Sequence, residues 1–247
     1  MVSVPSKRIR RFTGTERLLH WVHAAAFFLM LGTGLILYIP ALEKALGARN
    51  FYKNIHLLVA VVWVAAIFAI IIFGNRKALR RTWQEAQTIT RDDRRWLTGR
   101  KAPQGRLNAG QKVNTIIQVA FALLFTLSGF FLWLGERDHT FLFDGTGSLH
   151  DLLTFISIAL IVGHLYLALI HPSTRHALKG MTTGEVDLEW AERHHPKWIA
   201  DERVLAEMRR DGLLEGPLAV GDRVEFDESR VDPAGLLSGK DDLVAKG

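Results

Sequence analysis

The sequence predicts an all-α integral membrane protein, a four-helix bundle with both chain termini in the cytoplasm. Its 247 residues are 49% hydrophobic, and the mean hydropathy is +0.12, whereas a soluble domain normally lies near or below zero. The apolar residues concentrate in four blocks of about 20 residues, the length that a helix needs to cross a bilayer core. Basic residues lie beside these blocks and favour one orientation.

The four predicted spans cover residues of about 18–39, 55–73, 113–134 and 149–170. The first block follows basic residues, as a secretory signal does, but it is too long, contains His20 and His23 and lacks a convincing cleavage site. We therefore expect this span to be retained. The predicted organisation is a cytoplasmic segment over 1–17, the bundle over 18–170 and a cytoplasmic tail over 171–247.

Lysine and arginine are distributed unequally over the segments between the spans. Five precede the first span, 11 lie between the second and third, and 11 follow the fourth, whereas the other two segments hold three and one. By the positive-inside rule, both termini and the loop 75–112 face the cytoplasm of a bacterial inner membrane. Within this loop we expect a short surface helix over 78–89 and a turn at Pro103 and Gly105.

Two features of the composition exclude whole classes of function. The chain has no cysteine, which rules out disulfides, thiolate zinc sites, cysteine-ligated iron-sulfur clusters and thiol nucleophiles in this chain. The formal charge is +6, but the basic residues lie beside apolar blocks, so a lipid bilayer is the expected partner and nucleic acid is not. Any redox chemistry of this chain must use ligands other than thiolates.

Five of the ten histidines lie within the predicted spans, where ionisable side chains are costly and are usually kept for function. Four of them match in depth, two by two. His56 and His150 lie near the outer ends of the second and fourth spans, and His20 and His164 lie toward the cytoplasm in the first and fourth. The 14 residues from His150 to His164 give about 21 Å of rise and return to nearly the same helix face.

Opposed histidines on facing helices are the axial ligands that a six-coordinate haem iron needs. The pattern therefore predicts two haems, one held by His20 and His164 and one held by His56 and His150. A lone histidine in a membrane helix more often hydrogen-bonds, so this prediction depends on the match in depth. His23, three residues after His20, is expected to form hydrogen bonds or to lie beside a quinone pocket rather than to bind iron.

The region after the fourth span offers weaker signals. His194 and His195 precede Pro196 without a carboxylate or cysteine at a metal-site spacing, so we expect no metal site there. A weak helical pattern covers 201–210. The remainder of the tail has the polar composition of a partner-binding or loosely ordered segment.

Several short motifs occur in a fixed order between residues 12 and 198. They are RLLHW at 17–21, IH at 55–56, NAGQK at 108–112, the histidine at 150, HLY at 164–166, KGM at 179–181 and HHPKW at 194–198. This order resembles the cytochrome b (gamma) subunit of membrane-bound respiratory formate dehydrogenases. These subunits belong to a wider family that includes the cytochrome b subunits of nickel-iron hydrogenases.

The resemblance implies two b haems at the same two histidine pairs. It also implies an iron-sulfur (beta) subunit and a molybdenum- or tungsten-containing catalytic (alpha) subunit as partners, with a higher oligomer of this heterotrimer as a further expectation. Electrons would pass from the outer haem to the inner haem and on to a quinone. Formate would be oxidised by the partner subunits, so this chain alone would not oxidise formate. By depth alone, Arg11, Arg17 and Lys53 are candidates to neutralise haem propionates.

The resemblance further implies a menaquinone or ubiquinone pocket beside the inner haem that includes Asn108, Gly110, Gln111 and Lys112. Asn108 and Gln111 can hydrogen-bond a quinone carbonyl, and Gly110 allows a close approach of the backbone. Lys112 at the membrane edge can stabilise developing negative charge. A purely structural alternative is that Asn108 and Gly110 cap the third span.

Other classes of function remain open at this stage. The electron donor could be a nickel-iron hydrogenase or another periplasmic dehydrogenase. The histidines could instead serve a transporter or a metal-binding protein, although only Asp151 supplies a carboxylate near a span. A di-iron oxygenase would need its histidines at one depth, and a plain membrane anchor would bind no haem.

Overall fold

The computed structural model describes residues 8–141 and 143–210, the last six of them by backbone alone. Residues 211–247, the rest of the predicted tail, lie outside the described part. In chain order the elements are β1 (Arg8–Arg10), α1 (Gly14–Tyr38), α2 (Pro40–Leu46), α3 (Arg49–Phe73), α4 (Arg76–Gln87), α5 (Arg91–Leu97), α6 (Ala109–Gly135), α7 (Thr146–Leu165), α8 (Leu178–Thr182), β2 (Glu185–Asp187), α9 (Leu188–His194) and α10 (Pro196–Arg210).

Four helices, α1, α3, α6 and α7, are long and apolar enough to cross a membrane, and a π-helical turn (Tyr166–Ile170) continues α7. The predicted all-α class with four spans is therefore confirmed. Only 6–11% of the most apolar window of each span is buried within the chain, so most of this apolar surface is left for lipid or for partner helices.

Two of the spanning helices, α1 and α6, begin before the apolar blocks because polar residues cap their first turns. The side chain of Thr13 accepts a hydrogen bond from the backbone of Glu16, and the Glu16 carboxylate accepts one from the backbone of Thr13. This capping box starts α1 four residues before the first apolar block. Within the bundle, α1 packs along α3 and α6 packs along α7.

The expected surface helix after the second span is confirmed as α4, which starts and ends two residues earlier than expected. The Asn75 side chain accepts a hydrogen bond from the Ala78 backbone and so caps this helix. The weak helical pattern over 201–210 is part of α10, which begins with Pro196, a residue that suits the first turn of a helix.

One end of the bundle carries a packed layer that we call the cap, formed by residues 8–13, 74–108 and 171–204. The sequence did not predict its small antiparallel sheet, in which Ile9 of β1 lies opposite Val186 of β2. Two small apolar clusters hold the cap together. The first contains Val186, Trp190, Ala191, Trp198 and Ile199, and the second contains Phe12, Ala86 and Leu107.

Candidate functional site

His56 of α3 and His150 of α7 face each other, with ring centroids 6.4 Å apart. Two imidazoles that bind one iron through bonds of about 2 Å have their centroids about 6 Å apart. The observed separation therefore fits an iron ion between the two rings. The structure thus brings together the two residues that the sequence assigned to the outer haem.

Each of these rings is oriented by a hydroxyl group on a neighbouring helix. Nδ1 of His56 lies 2.9 Å from Oγ1 of Thr33, and Nδ1 of His150 lies 2.9 Å from Oγ of Ser128. Both hydroxyls donate to a carbonyl of their own helix, so their lone pairs are free to accept from Nδ1–H. This tautomer leaves Nε2 of each ring for a metal ion, while the hydroxyl holds the ring through Nδ1–H.

A glycine follows each of these hydroxyl residues and leaves space beside the ring. A Cβ atom at Gly34 would lie 3.5 Å from Cε1 of His56, and one at Gly129 would lie 3.6 Å from Cε1 of His150. Neither glycine was predicted from the sequence as part of the site. The signal that could have found them is the repeated doublet of a hydroxyl residue and a glycine, at 33–34 and 128–129, in two different spans.

The second predicted pair also lies together, because the ring centroids of His20 in α1 and His164 in α7 are 6.3 Å apart. Within the part of the chain that the structure describes, the buried Nδ1 atom of His20 has no hydrogen-bond partner. A buried polar atom without a partner is unfavourable unless another group satisfies the side chain. The geometry of this pair, like that of the outer pair, fits an iron ion between the rings.

His23 does not face a second histidine in the described residues, and its ring lies beside Trp63 with centroids 5.6 Å apart. The indole Nε1 of Trp63 is buried and has no partner among the described residues. Because His23 lacks an opposed imidazole, nothing in its surroundings supports a role as a haem ligand.

The NAGQK segment forms the start of α6, where Asn108 and Gln111 make a capping box. Oδ1 of Asn108 accepts from the Gln111 backbone at 2.9 Å, and Oε1 of Gln111 accepts from the Asn108 backbone at 3.0 Å. The amide nitrogens of both side chains have no partner among the described residues. A Cβ atom at Gly110 would lie 3.4 Å from both the Asn108 side chain and the Trp96 ring, so a larger residue would crowd this turn.

Lys112, also in this segment, forms a buried ion pair between α6 and α5. Its Nζ donates to Oδ2 of Asp93 at 2.7 Å and to the Thr88 carbonyl at 3.0 Å. Burial acts to raise the pKa of Asp93, but the hydrogen bonds from Lys112 and Thr90 outweigh it and hold this pKa below its usual value. Lys112 is therefore a paired cation in this structure.

The three basic residues expected near haem propionates are bonded to protein groups in this structure. Arg11 binds the Arg106 carbonyl and Gln111, and Arg17 binds backbone carbonyls at 181–183. Lys53 forms an ion pair with Glu136 at 2.6 Å. The role of these residues toward haem propionates, which depth alone suggests, stays a prediction.

Residues 11–184 match the family described as prokaryotic cytochrome b561, and this match includes all four spans and both histidine pairs. The chain belongs to this family of membrane cytochromes, which implies b-type haem. The resemblance inferred from the short motifs is thereby confirmed at the level of the family.

Individual relatives narrow the comparison. The chain is 30% identical over 217 residues to the formate dehydrogenase, cytochrome b556(fdo) subunit of Escherichia coli K12, which covers 82% of this chain and 97% of that protein. It is 26% identical over 233 residues to the formate dehydrogenase, cytochrome b556 subunit of Haemophilus influenzae, covering 87% and 91%. It is 26% identical over 210 residues to the nitrate-inducible cytochrome b556(Fdn) subunit of E. coli, covering 79% and 92%.

Proposed function

We propose that this chain is the di-haem cytochrome b subunit of a respiratory formate dehydrogenase. The observation that carries the proposal is the presence of two opposed histidine pairs with centroid separations of 6.4 and 6.3 Å. The two pairs come from three spans, and α7 contributes to both. The outer haem is assigned to His56 with His150, and the inner haem to His20 with His164.

A b haem, when bound, supplies a carrier that takes up and releases one electron. Two imidazoles of the chain would hold each iron, and the hydroxyls of Thr33 and Ser128 would tune the outer one. A neutral imidazole whose Nδ1–H donates a hydrogen bond is a stronger donor to iron. The same residues keep the rings fixed, so little rearrangement is needed when the charge on the iron changes.

The quinone site is assigned to the first turn of α6 beside the inner pair, with Asn108, Gly110, Gln111 and Lys112. A quinone carbonyl accepts hydrogen bonds, and the amide nitrogens of Asn108 and Gln111 are the donors that the capping box leaves free. Gly110 lets the Asn108 side chain and the Trp96 ring pack closely at this turn. Lys112, through its ion pair with Asp93, fixes this turn and adds positive charge near the negative charge that develops on a reduced quinone.

The donor is assigned from the relatives, which are subunits of formate dehydrogenases. We propose an iron-sulfur (beta) subunit and a molybdenum- or tungsten-containing (alpha) subunit as partners on the outer face of a bacterial inner membrane. The cap then lies in the cytoplasm, where a reduced quinone can take up protons. Purification of the complex tests this assignment, because co-purified nickel and iron in place of molybdenum or tungsten would indicate a hydrogenase.

The haem assignment is tested by counting haems in the purified full-length chain by the pyridine haemochrome method. We expect two b haems in the wild type and one in each of His20→Ala, His56→Ala, His150→Ala and His164→Ala. His23→Ala is the matched control, an intramembrane histidine without an opposed imidazole, and it should keep two. If the four variants keep two haems each, the ligand assignment is wrong, and a wild type without haem would leave a transporter or a plain anchor.

A further inference from the structure

The loop that leads into α6 is held by residues from distant parts of the chain. Three consecutive backbone carbonyls in this loop each accept a hydrogen bond from the N-terminal segment or from the HHPKW segment. The bonds are Lys197 N to Gln104 O at 3.2 Å, His195 Nδ1 to Gly105 O at 2.6 Å and Arg11 Nη2 to Arg106 O at 2.7 Å. We call the side chains of Arg11 and His195 the clamp.

Arg11 also reaches the proposed quinone pocket, since its Nη2 lies 3.0 Å from Oε1 of Gln111. This oxygen already accepts from the backbone of Asn108 at 3.0 Å. With two donors on Oε1, the Gln111 amide has one favoured orientation, because its Nε2 can only donate. The orientation leaves Nε2 pointing away from Arg11 and free to donate to another group.

His195 in turn orients Arg11. A guanidinium has donors only, so Nε2 of His195, 3.1 Å from Nη2 of Arg11, can only accept, and it shares the two N–H groups of Nη2 with Arg106 O and Gln111 Oε1. The His195 Nδ1–H must then donate to the Gly105 carbonyl. Burial and the neighbouring Arg11 lower the pKa of His195 to about 3, which keeps the ring in this neutral, accepting form at physiological pH. The His195 ring is therefore a fixed part of the clamp.

The clamp buries the positive charge of Arg11. Arg11 is 3% exposed, lies near the rings of Phe12 and Trp190 and makes no ion pair with a carboxylate among the described residues. Its Nη1 has no partner in this part of the chain. Burying a cation in this way is unfavourable for stability, so its position beside Gln111 calls for a functional explanation.

We propose that Arg11 and His195 are positioning residues for the quinone, which hold the Gln111 amide so that its nitrogen donates to a quinone carbonyl. The inference rests on the proposed function and extends it to two residues that lie about 180 positions apart in the chain. Neither residue needs to touch the quinone. Their effect is exerted through Oε1 of Gln111 and through the carbonyls that precede α6.

The experiment uses the haem-loaded full chain in lipid nanodiscs with a short-chain naphthoquinone as the probe. Two quantities are measured, the equilibrium dissociation constant of the quinone for the oxidised protein by calorimetry, and the rate of haem reoxidation after reduction, as a function of quinone concentration. We expect Arg11→Met and His195→Ala to weaken quinone binding about 10-fold, the scale of one lost hydrogen bond to a charged or fixed polar group. The reoxidation rate at saturating quinone should change less than the half-saturating concentration.

Two further variants separate positioning from general loosening of the cap. In His195→Gln the side-chain oxygen can still accept from Arg11, so quinone binding should return to near the wild-type value. Lys179→Met is the control, because Lys179 forms an ion pair with Asp187 within the cap and has no hydrogen bond to α6 among the described residues, and it should leave binding unchanged. Equal losses in Lys179→Met and Arg11→Met, or unchanged binding in Arg11→Met and His195→Ala, would overturn the inference.

The outcome for the proposed function is read separately from the wild type. If the wild-type protein holds two haems but neither binds the naphthoquinone nor is reoxidised by it, the quinone role fails, and the clamp role fails with it. If the wild type binds and the variants do not differ from it, only the clamp role fails. Haem content is measured in each variant, and should Arg11→Met not assemble, the pair His195→Ala and His195→Gln decides.

Discussion

The hydroxyl groups of Thr33 and Ser128 make equivalent contacts with two histidines on different helices. Each accepts from a ring Nδ1 at 2.9 Å and is followed by a glycine beside the same ring. Because the hydroxyl proton is engaged by a carbonyl of the same helix, each group acts as an acceptor only. This repeated arrangement ties the tautomer of the outer pair to two small polar residues.

Removing one hydroxyl should alter the outer haem without removing its ligand. In Thr33→Val the His56 Nδ1–H loses its acceptor, so the imidazole becomes a weaker donor to ferric iron and the midpoint potential of the outer haem should rise. Loss of such a partner typically weakens binding of the metal centre by about 10-fold or more. A potentiometric titration and the rate of haem transfer to an apoprotein acceptor measure both effects.

Two control variants define the result of this experiment. Thr33→Ser keeps the hydroxyl and should behave as the wild type. Thr126→Val removes a hydroxyl that bonds only to a carbonyl of its own helix, α6, and should leave the potential unchanged. A rise in potential of the same size in Thr126→Val would show that the effect is not transmitted through His56.

At the level of elements, the first turn of α6 combines helix capping with the proposed binding of quinone. The two roles use different atoms of the same side chains. The oxygens cap the N-terminus of α6, and the amide nitrogens are left for the ligand. The sequence left open whether this segment caps helix α6 or binds quinone, and these two roles therefore do not exclude each other. Substitutions that change only one of these atoms can separate them.

Asn108→Asp should preserve the capping of helix α6 and remove the amide N–H donor. Aspartate caps helices as well as asparagine does, so stability should be unchanged, whereas quinone binding should weaken because a carboxylate cannot donate. Asn108→Ala should lose both, with a stability cost of about 1 kcal/mol. Thermal melting in detergent and naphthoquinone binding measure the two roles, and unchanged quinone binding in both variants would remove Asn108 from the pocket.

The ion pair of Lys112 with Asp93 joins α5 to α6, and its pH dependence has a definite sign. The pKa of Asp93 lies below its usual value of 3.8 in the folded chain, so its contribution to stability is present above that value and lost as the pH falls through the folded pKa. In Lys112→Met the buried carboxylate has lost its cation, which should destabilise the chain by about 3–5 kcal/mol at neutral pH.

The variant should also reverse the pH dependence. Without Lys112, burial is opposed only by the hydrogen bonds from Thr90, so the pKa of Asp93 should be higher than in the wild type. Lys112→Met should therefore regain stability as the pH is lowered from 7 toward 4, where the wild type gains none. The double variant Lys112→Met/Asp93→Leu should recover much of the loss, because it buries no unpaired charge. Melting temperatures in detergent across this pH range test the prediction, and parallel profiles for wild type and Lys112→Met would contradict it.

At the scale of the whole molecule, the sequence predicted the bundle well and the cap poorly. Span length and the spacing of His150 and His164 are features of single helices. They are kept in the fold because each helix forms its backbone hydrogen bonds within itself. The contacts of the cap join residues about 90 to 180 positions apart, such as Arg11 with Arg106 and His195. No periodicity in a single sequence encodes such pairs, which explains why the contacts of Arg11 with Arg106 and His195 were not predicted.

The orientation of the whole molecule follows from the distribution of basic residues and stays a prediction. It can be tested cleanly because the chain contains no cysteine, so a single introduced thiol reports without background. Lys44→Cys and Thr140→Cys lie in exposed positions of the two segments with few basic residues, and Arg91→Cys and Arg175→Cys lie in exposed positions of the cap. These four sites sample both ends of the bundle.

In intact spheroplasts, a membrane-impermeant maleimide should label the thiols at 44 and 140 and should label those at 91 and 175 only after permeabilisation. The physical reason is the excess of lysine and arginine in the cap, which resists transfer across the membrane during insertion. This result would place His20, His164 and the start of α6 on the side from which a quinone draws protons from the cytoplasm. The opposite labelling pattern would reverse the direction of electron transfer and refute the proposed order of the two haems.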